Sequence, residues 1–275
     1  MFDTTCASPS SALMQDAAFA EALRRCGQTP VSLPSGHLLL RRRVLGISVL
    51  MLPRAAPPAD LQEQLHGIGL HRAPLILSPE LPCPLPPALK LMAPRNRAVW
   101  SINLGREALR RGLHPKWRNQ LRKAERQSIS IRPAPLRLPK DQPFLDAAAR
   151  QARARRYAGW PTALTASFAD VSPSQTHLFQ ALCGKRVLAQ MLFLTHGQHA
   201  TYHIGLTSDA GRRVCAHNLI LWKAARHLAA KGCESIDLGV LDDTPAALVR
   251  FKLRTGADIC PTGGTHLYWR PLARS

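Results

Sequence analysis

The sequence predicts a mixed α/β protein in two halves, each a mixed β-sheet flanked by helices, the first irregular and the second regular. Three observations carry this reading. The chain has 275 residues, 45% of them apolar, which is about two domains' worth and enough to bury cores. Residues 141–275 read in order as helix, β-hairpin, helix, strand, short helix and strand. Ten prolines fall from Pro53 to Pro94, and since each removes an N–H donor and fixes φ, regular structure there must be short.

In the first half, 1–140, His37 to Leu52 reads as two short strands joined by a hairpin. These are Leu38 to Leu40, ended by the basic cap Arg41 to Arg43, and the apolar, β-branched run Val44 to Leu52. Ala98 to Leu104 is a further strand. The segment 106–126 then reads as helix, with Pro115 suited to a first turn and Trp117, Leu121 and Ala124 on one face. It holds eight Lys or Arg against two Glu.

The second half, 141–275, opens with a helix from Phe144 to Arg156. The runs Arg186 to Thr195 and His199 to Leu206 flank His196-Gly197-Gln198 as a hairpin. A helix follows from Ala216 to Ala230, with Leu219, Trp222, Ala225 and Ala229 inward and Gly232 in the C′ position. The strand Glu234 to Gly239 comes next. Thr244 as N-cap and Pro245 at N1 open a short helix ending at Gly256, and a last strand covers Thr265 to Trp269.

Charge bears on partners rather than fold. The chain has 37 Lys and Arg against 17 Asp and Glu, a net +20, divided 21 against 8 over the first 140 residues and 16 against 9 over the rest. The seven cysteines never fall in a C-x-x-C spacing, which argues against a zinc ribbon or disulfide framework and for a reduced, cytoplasmic setting. The longest apolar runs stop short of the roughly 18–20 residues that span a bilayer. The first residues, Met-Phe-Asp-Thr-Thr-Cys, lack a basic n-region and an apolar h-region, so no export signal is expected. Any membrane contact would be peripheral, at the inner face.

The order of elements after residue 141 resembles the core of the GNAT acyltransferase fold, and local sequences sharpen the likeness. Lys116-Trp117-Arg118-Asn119-Gln120-Leu121-Arg122-Lys123-Ala124-Glu125 resembles a Lys-Trp-Arg-x-x-Leu-x-Lys-Ala-Glu helix of Fem-like proteins, relatives of the FemAB peptidoglycan bridge aminoacyltransferases. Phe251-Lys252-Leu253-Arg254-Thr255-Gly256 is similar to their Phe-Lys-x-x-x-Gly signature. The resemblance implies tandem GNAT-like halves, the first degenerate, and transfer of an acetyl or aminoacyl group to an amine on a small-molecule or cell-envelope precursor.

The donor it implies is acyl-CoA, such as acetyl-CoA, or aminoacyl-tRNA, with no metal. GNAT enzymes seat the donor pyrophosphate on N–H groups of a glycine loop at a helix N-terminus. The matching loop, Ser208 to Asn218, has one glycine, Gly211, where CoA-binding members carry Arg/Gln-x-x-Gly-x-Gly/Ala. A polyanionic tRNA would suit the +20 balance. Both donors remain open, and oligomeric state is not legible.

Transfer to an amine needs a proton acceptor and donors for the oxyanion. His203, Asp237 and Asp242 are the catalytic candidates: His203 lies where GNAT sheets splay, Asp237 within the following strand, and Asp242 at that strand's end. Each also has a structural reading, as a hydrogen-bonded strand histidine or helix-entry acids. Arg212, Arg213, His217, Asn218 and Lys252 are candidates for donor binding, with capping the competing role for His217 and Asn218. Arg118, Arg122, Lys123 and Tyr157 are candidates for an anionic substrate, against a merely solvated basic face. A non-catalytic nucleic-acid-binding protein and an inactive GNAT relative are the rival readings.

Overall fold

The computed structural model describes residues 12–44, 46–155 and 159–271. The chain packs as two compact units, Met1–Asn96 with Cys260–Ser275, and Arg97–Ile259. These boundaries differ from a division at 140. The basic segment around Trp117 packs its apolar face into the core of the second unit, so it goes with that unit.

The first unit contains α1 (Ala17–Arg25), β1 (Val31–Ser32), β2 (Leu38–Val44), β3 (Ile47–Pro53), α2 (Leu61–Gly67), β4 (Leu75–Ser78) and β5 (Leu89–Met92). Asp16 caps α1, its carboxylate accepting from the Ala18 N–H at 2.8 Å. The hairpin forms, but its turn lies later than expected. Arg41 to Arg43 continue β2 opposite Leu50, Val49 and Ser48, and Gly46, at φ +81°, takes the turn. A left-handed residue is what a tight hairpin demands, and glycine meets that demand without a steric cost.

The second unit contains β6 (Asn96–Ser101, entering from the first unit), α3 (Arg106–Gly112), α4 (Pro115–Glu125), β7 (Ser130–Ala134), α5 (Gln142–Arg155), α6 (Thr162–Val171), β8 (Thr176–Cys183), β9 (Arg186–His196), β10 (His199–Thr207), α7 (Asp209–Arg213), α8 (Ala216–Ala230), β11 (Ser235–Val240), α9 (Ala246–Leu253) and β12 (Asp258–Pro261). The segment 106–126 is therefore two helices. His114 is the N-cap of α4, its Nδ1 accepting from Lys116 N–H at 3.2 Å, with Pro115 at N1. At α9 the cap is Pro245 itself, without a side-chain bond. Thr244 instead donates back to the Val240 carbonyl at 2.9 Å.

The last strand, β13 (Thr265–Tyr268), does not join the second unit. It inserts between β4 and β5, giving the six-stranded order β1-β2-β3-β4-β13-β5. The second sheet runs β12-β6-β11-β10-β9-β8-β7. Leu39, Leu50, Leu52, Leu75 and Leu77 fill the first core. In the second, Trp117, Leu121 and Ala124 of α4 pack with α8 residues including Leu221 and Trp222 over the sheet. Arg110 of α3 reaches Glu125 with both guanidinium nitrogens, at 2.8 and 2.6 Å, and lies 5.7 Å from the Trp222 ring centroid.

Trp117 is fully buried. Trp117→Ala should cost about 3–5 kcal/mol of stability in chemical denaturation. Arg122→Ala, on the exposed side of the same helix, should stay within about 0.5 kcal/mol.

Candidate active site

The parallel pairing of β10 with β11 has three rungs, His199 with Ser235, Ala200 with Ile236 and Thr201 with Asp237. Both strands then change register on their other partners. On β10, Tyr202 faces Phe193 and Ile204 faces Leu192, leaving His203 as an extra residue. On β11, Asp237 faces Val99 and Val240 faces Arg97, with Leu238 and Gly239 opposite a single residue. Gly239 is at φ +85°, the left-handed geometry that a bulge takes cheaply at glycine. Paired bulges beyond the last shared rung part the two strands.

The candidate residues distribute around this parting in different environments. His203 is half-buried, its Nε2 2.9 Å from Thr165 Oγ1 and its ring 4.8 Å from that of Trp160. Burial pushes it down to about 4, so it is neutral at pH 7 and a weak proton acceptor. Asp237 is committed as well. Its carboxylate accepts from Arg97 Nη1 at 2.9 Å and from the Gly239 N–H at 2.7 Å. Asp242 is exposed just past β11.

Lys252, on α9, is buried, and its Nζ donates to the Val240 carbonyl at 2.8 Å. A Cβ on Gly239 would stand 3.6 Å from that nitrogen, so the amine sits directly beneath the bulge glycine. Burial pushes it down to about 8, against the pull of the Asp237 carboxylate. The sequence singled out this residue as a helix-surface ammonium or an anion ligand. The fold makes it a buried amine with a titration near neutrality.

The loop before α8 has closed on itself. Gly211 N–H donates to Ser208 Oγ at 3.1 Å and Arg212 N–H to the Ser208 carbonyl at 2.9 Å. Val214, Cys215 and Asn218 N–H groups donate to the carbonyls of Ala210, Arg212 and Cys215. A methyl on Gly211 would lie 2.3 Å from the Leu188 carbonyl oxygen, so this glycine serves close packing against β9. Arg212 pairs with Asp209 and donates to the Thr207 carbonyl at 3.1 Å, while Arg213 is exposed.

Beyond the parting, β10 carbonyls are met by side chains. Gln151 Nε2 donates to Gly205 at 3.0 Å, and His217 Nε2 is 2.8 Å from the Leu206 oxygen, which fixes its proton on that nitrogen. Burial holds His217 below the ordinary imidazole value. Asn218 is buried, its amide 3.5 Å from Gln120 of α4. These contacts engage the Gly205 and Leu206 carbonyls and several of the loop N–H donors within the protein itself.

An open groove of about 390 Å³ on α4 is lined by Asn119, Arg122, Lys123, Arg126 and Gln127. Burial pushes the Cys215 thiol up, against the pull of the Lys123 charge. Arg118 stands outside the groove lining, half-buried. Tyr157 lies outside the described residues. Sequence reasoning missed Arg97, Gln151 and Thr165. Arg97 meets Asp237 across 140 positions, and no local pattern reports such a contact.

Residues 115–252, half of the chain, match the family described as an acetyltransferase (GNAT) domain, and the chain belongs to that family. No curated protein matches it in sequence. Among solved structures FemX is similar over 96% of this chain and 93% of its own, with TM-score 0.76 at 13% identity. A conserved protein of unknown function from Bacteroides thetaiotaomicron VPI-5482 gives 0.63 at 11% identity, over 92% and 90%. L-PGS from Bacillus licheniformis gives 0.54 at 11% identity, over 96% and 93%. At these identities the likeness is one of fold, which agrees with the mixed sheets and flanking helices expected of a GNAT-like chain. Family and fold together support an acyltransferase acting on an amine.

The Lys252 amine makes stability depend on pH in a defined window. Its folded value, about 8, lies below the unfolded 10.5, so the unfolded chain binds more protons between them and stability rises with pH over that range. Below about 8 the buried charge is a standing cost. Lys252→Met should therefore stabilise the protein at pH 7 by about 2 kcal/mol, after the lost Val240 hydrogen bond. Melting temperatures taken from pH 7 to 10.5 should show that advantage shrink.

Proposed function

We propose that the chain is a Fem-like N-acyltransferase that takes an aminoacyl group from aminoacyl-tRNA and passes it to an amine on a small-molecule or cell-envelope precursor. The observation that carries the reading is the buried Lys252 amine beneath Gly239, where β10 and β11 part. The closed loop before α8 favours a donor held by its phosphate backbone over one held by a pyrophosphate cradle. The second unit holds 26 Lys and Arg against 11 Asp and Glu, and the α4 groove offers three of those cations. A tRNA donor also implies a cytoplasmic enzyme.

In this mechanism a neutral amine attacks the ester carbonyl of the donor. The C–N bond forms and the bond from carbonyl carbon to ribose oxygen breaks. Asp242, exposed just past β11, accepts the proton that the amine loses. The Lys252 ammonium gives its proton to the leaving ribose oxygen, and both groups recover their states from solvent. An amine near 8 is matched to that task, being charged at pH 7 yet a competent acid. Arg122, Lys123 and Arg126 hold donor phosphates. Arg97 positions Asp237, whose charge keeps Lys252 from falling further.

Titrating the protein with CoA and acetyl-CoA should leave its melting temperature unchanged, while aminoacyl-tRNA should raise it. A saturable rise with CoA would overturn the donor assignment. With labelled aminoacyl-tRNA and an amine acceptor, Lys252→Met should lower turnover about 10²–10³-fold, and wild-type turnover should fall as pH rises through about 8. Replacing Arg122, Lys123 and Arg126 by Gln should weaken tRNA binding and reduce its salt slope by about 2–3. A folded Lys252→Met enzyme with wild-type turnover would remove this amine from the chemistry.

A further inference from the structure

The edge strand of the first unit is dressed for contact. All four residues of β5 are exposed, and so are Ala93 and Pro94 after it. Leu89 is 65% exposed, Leu91 48%, Met92 51%, and Trp269, which follows β13 on the neighbouring strand, 53%. The antiparallel register of Leu267 with Leu89 brings Trp269 alongside the start of β5. Its indole N–H donates to the Arg72 carbonyl at 3.1 Å, so a fixed aromatic ring borders an apolar ridge. Soluble surfaces scatter large apolar residues singly, whereas a contiguous set marks an interaction site.

Two occupants suit such a ridge, another protein strand or a lipid surface, and charge separates them. Lys90 sits in the middle of β5, and Pro87 and Pro94 bracket it. Both devices blunt an edge against strand pairing, because a lysine resists burial and proline supplies no N–H. Self-pairing would bring Lys90 of each copy together on chains that each carry +20. Residues 81–106 and 259–275, which hold the ridge, contain no Asp or Glu and include Lys90, Arg95 and Arg270. Apolar side chains with an indole at the rim and basic residues in the same segments form the composition that enters the headgroup region of an anionic bilayer.

We propose that β5 and Trp269 dock the protein on an anionic lipid membrane, with Leu89, Leu91, Met92 and Trp269 inserting between headgroups that Lys90 and Arg270 attract. Among the described residues no helix is long and apolar enough to cross a membrane, so this attachment is peripheral and reversible. It stands apart from the acyltransferase reading, since every residue in it lies outside Arg97–Ile259.

The test is sedimentation of the full chain with vesicles of equal parts phosphatidylglycerol and phosphatidylcholine, and with phosphatidylcholine alone. Wild type should bind the anionic vesicles, and Leu89→Glu with Leu91→Glu should lower that binding at least about tenfold while leaving the melting temperature unchanged. Trp269→Ala, which adds no charge, should weaken it several-fold, and tryptophan emission should shift to the blue on binding only where Trp269 is present. Equal binding by wild type and double variant would mean that general basicity suffices, and the assignment would fall. It would fall too if wild type bound neither vesicle, or if it were a dimer in solution that the double variant dissociates, since a second copy would then cover the strand.

Discussion

The three-rung pairing of β10 with β11 is the constraint on which the rest of the second unit turns. Parallel strands held together along their length would leave no backbone exposed between them and no room for a ligand. Here each strand inserts an extra residue just past the last shared rung, and the pairing between the two ends there. Backbone groups freed in this way must find partners. Gln151 and His217 supply them on β10, and the Asp237 carboxylate supplies one to Gly239 on β11.

Electrostatics follows from that opening. Asp237 turns toward Arg97 because the β11 bulge brings Val240 opposite that arginine. The carboxylate lets a lysine amine remain beneath Gly239 at a tolerable cost, since a buried ammonium without an anion nearby would lose its proton well below neutrality. Burial and the Asp237 charge thus oppose each other at Lys252, and burial wins by a margin that leaves the group titrating near 8. His203 has no such anion, so burial alone takes it to about 4.

The packing of α4 against α8 connects this centre to the chain's charge. Trp117, Leu121 and Ala124 bury one face of α4 in the core, which leaves Arg122, Lys123 and Arg126 exposed along the groove on the other. Arg110 secures the arrangement by pairing with Glu125 and covering Trp222.

Local pattern determined much of this protein. The span of α8, the hairpin of β9 and β10, the helical face of Trp117, Leu121 and Ala124, and the chiral need for glycine at 232 and 256 are all written in short-range periodicity and turn chemistry. A short motif singled out Lys252. Tertiary structure alone decided the environments: Lys252 buried, Asp237 bound to a residue 140 positions away, His203 pressed against Trp160, and the loop at Gly211 folded onto itself. It also decided that the last strand completes the first sheet, between β4 and β5. Periodicity reports which face of an element is buried, but which remote group it meets depends on how strands part and pair, and that is settled only when the whole sheet closes.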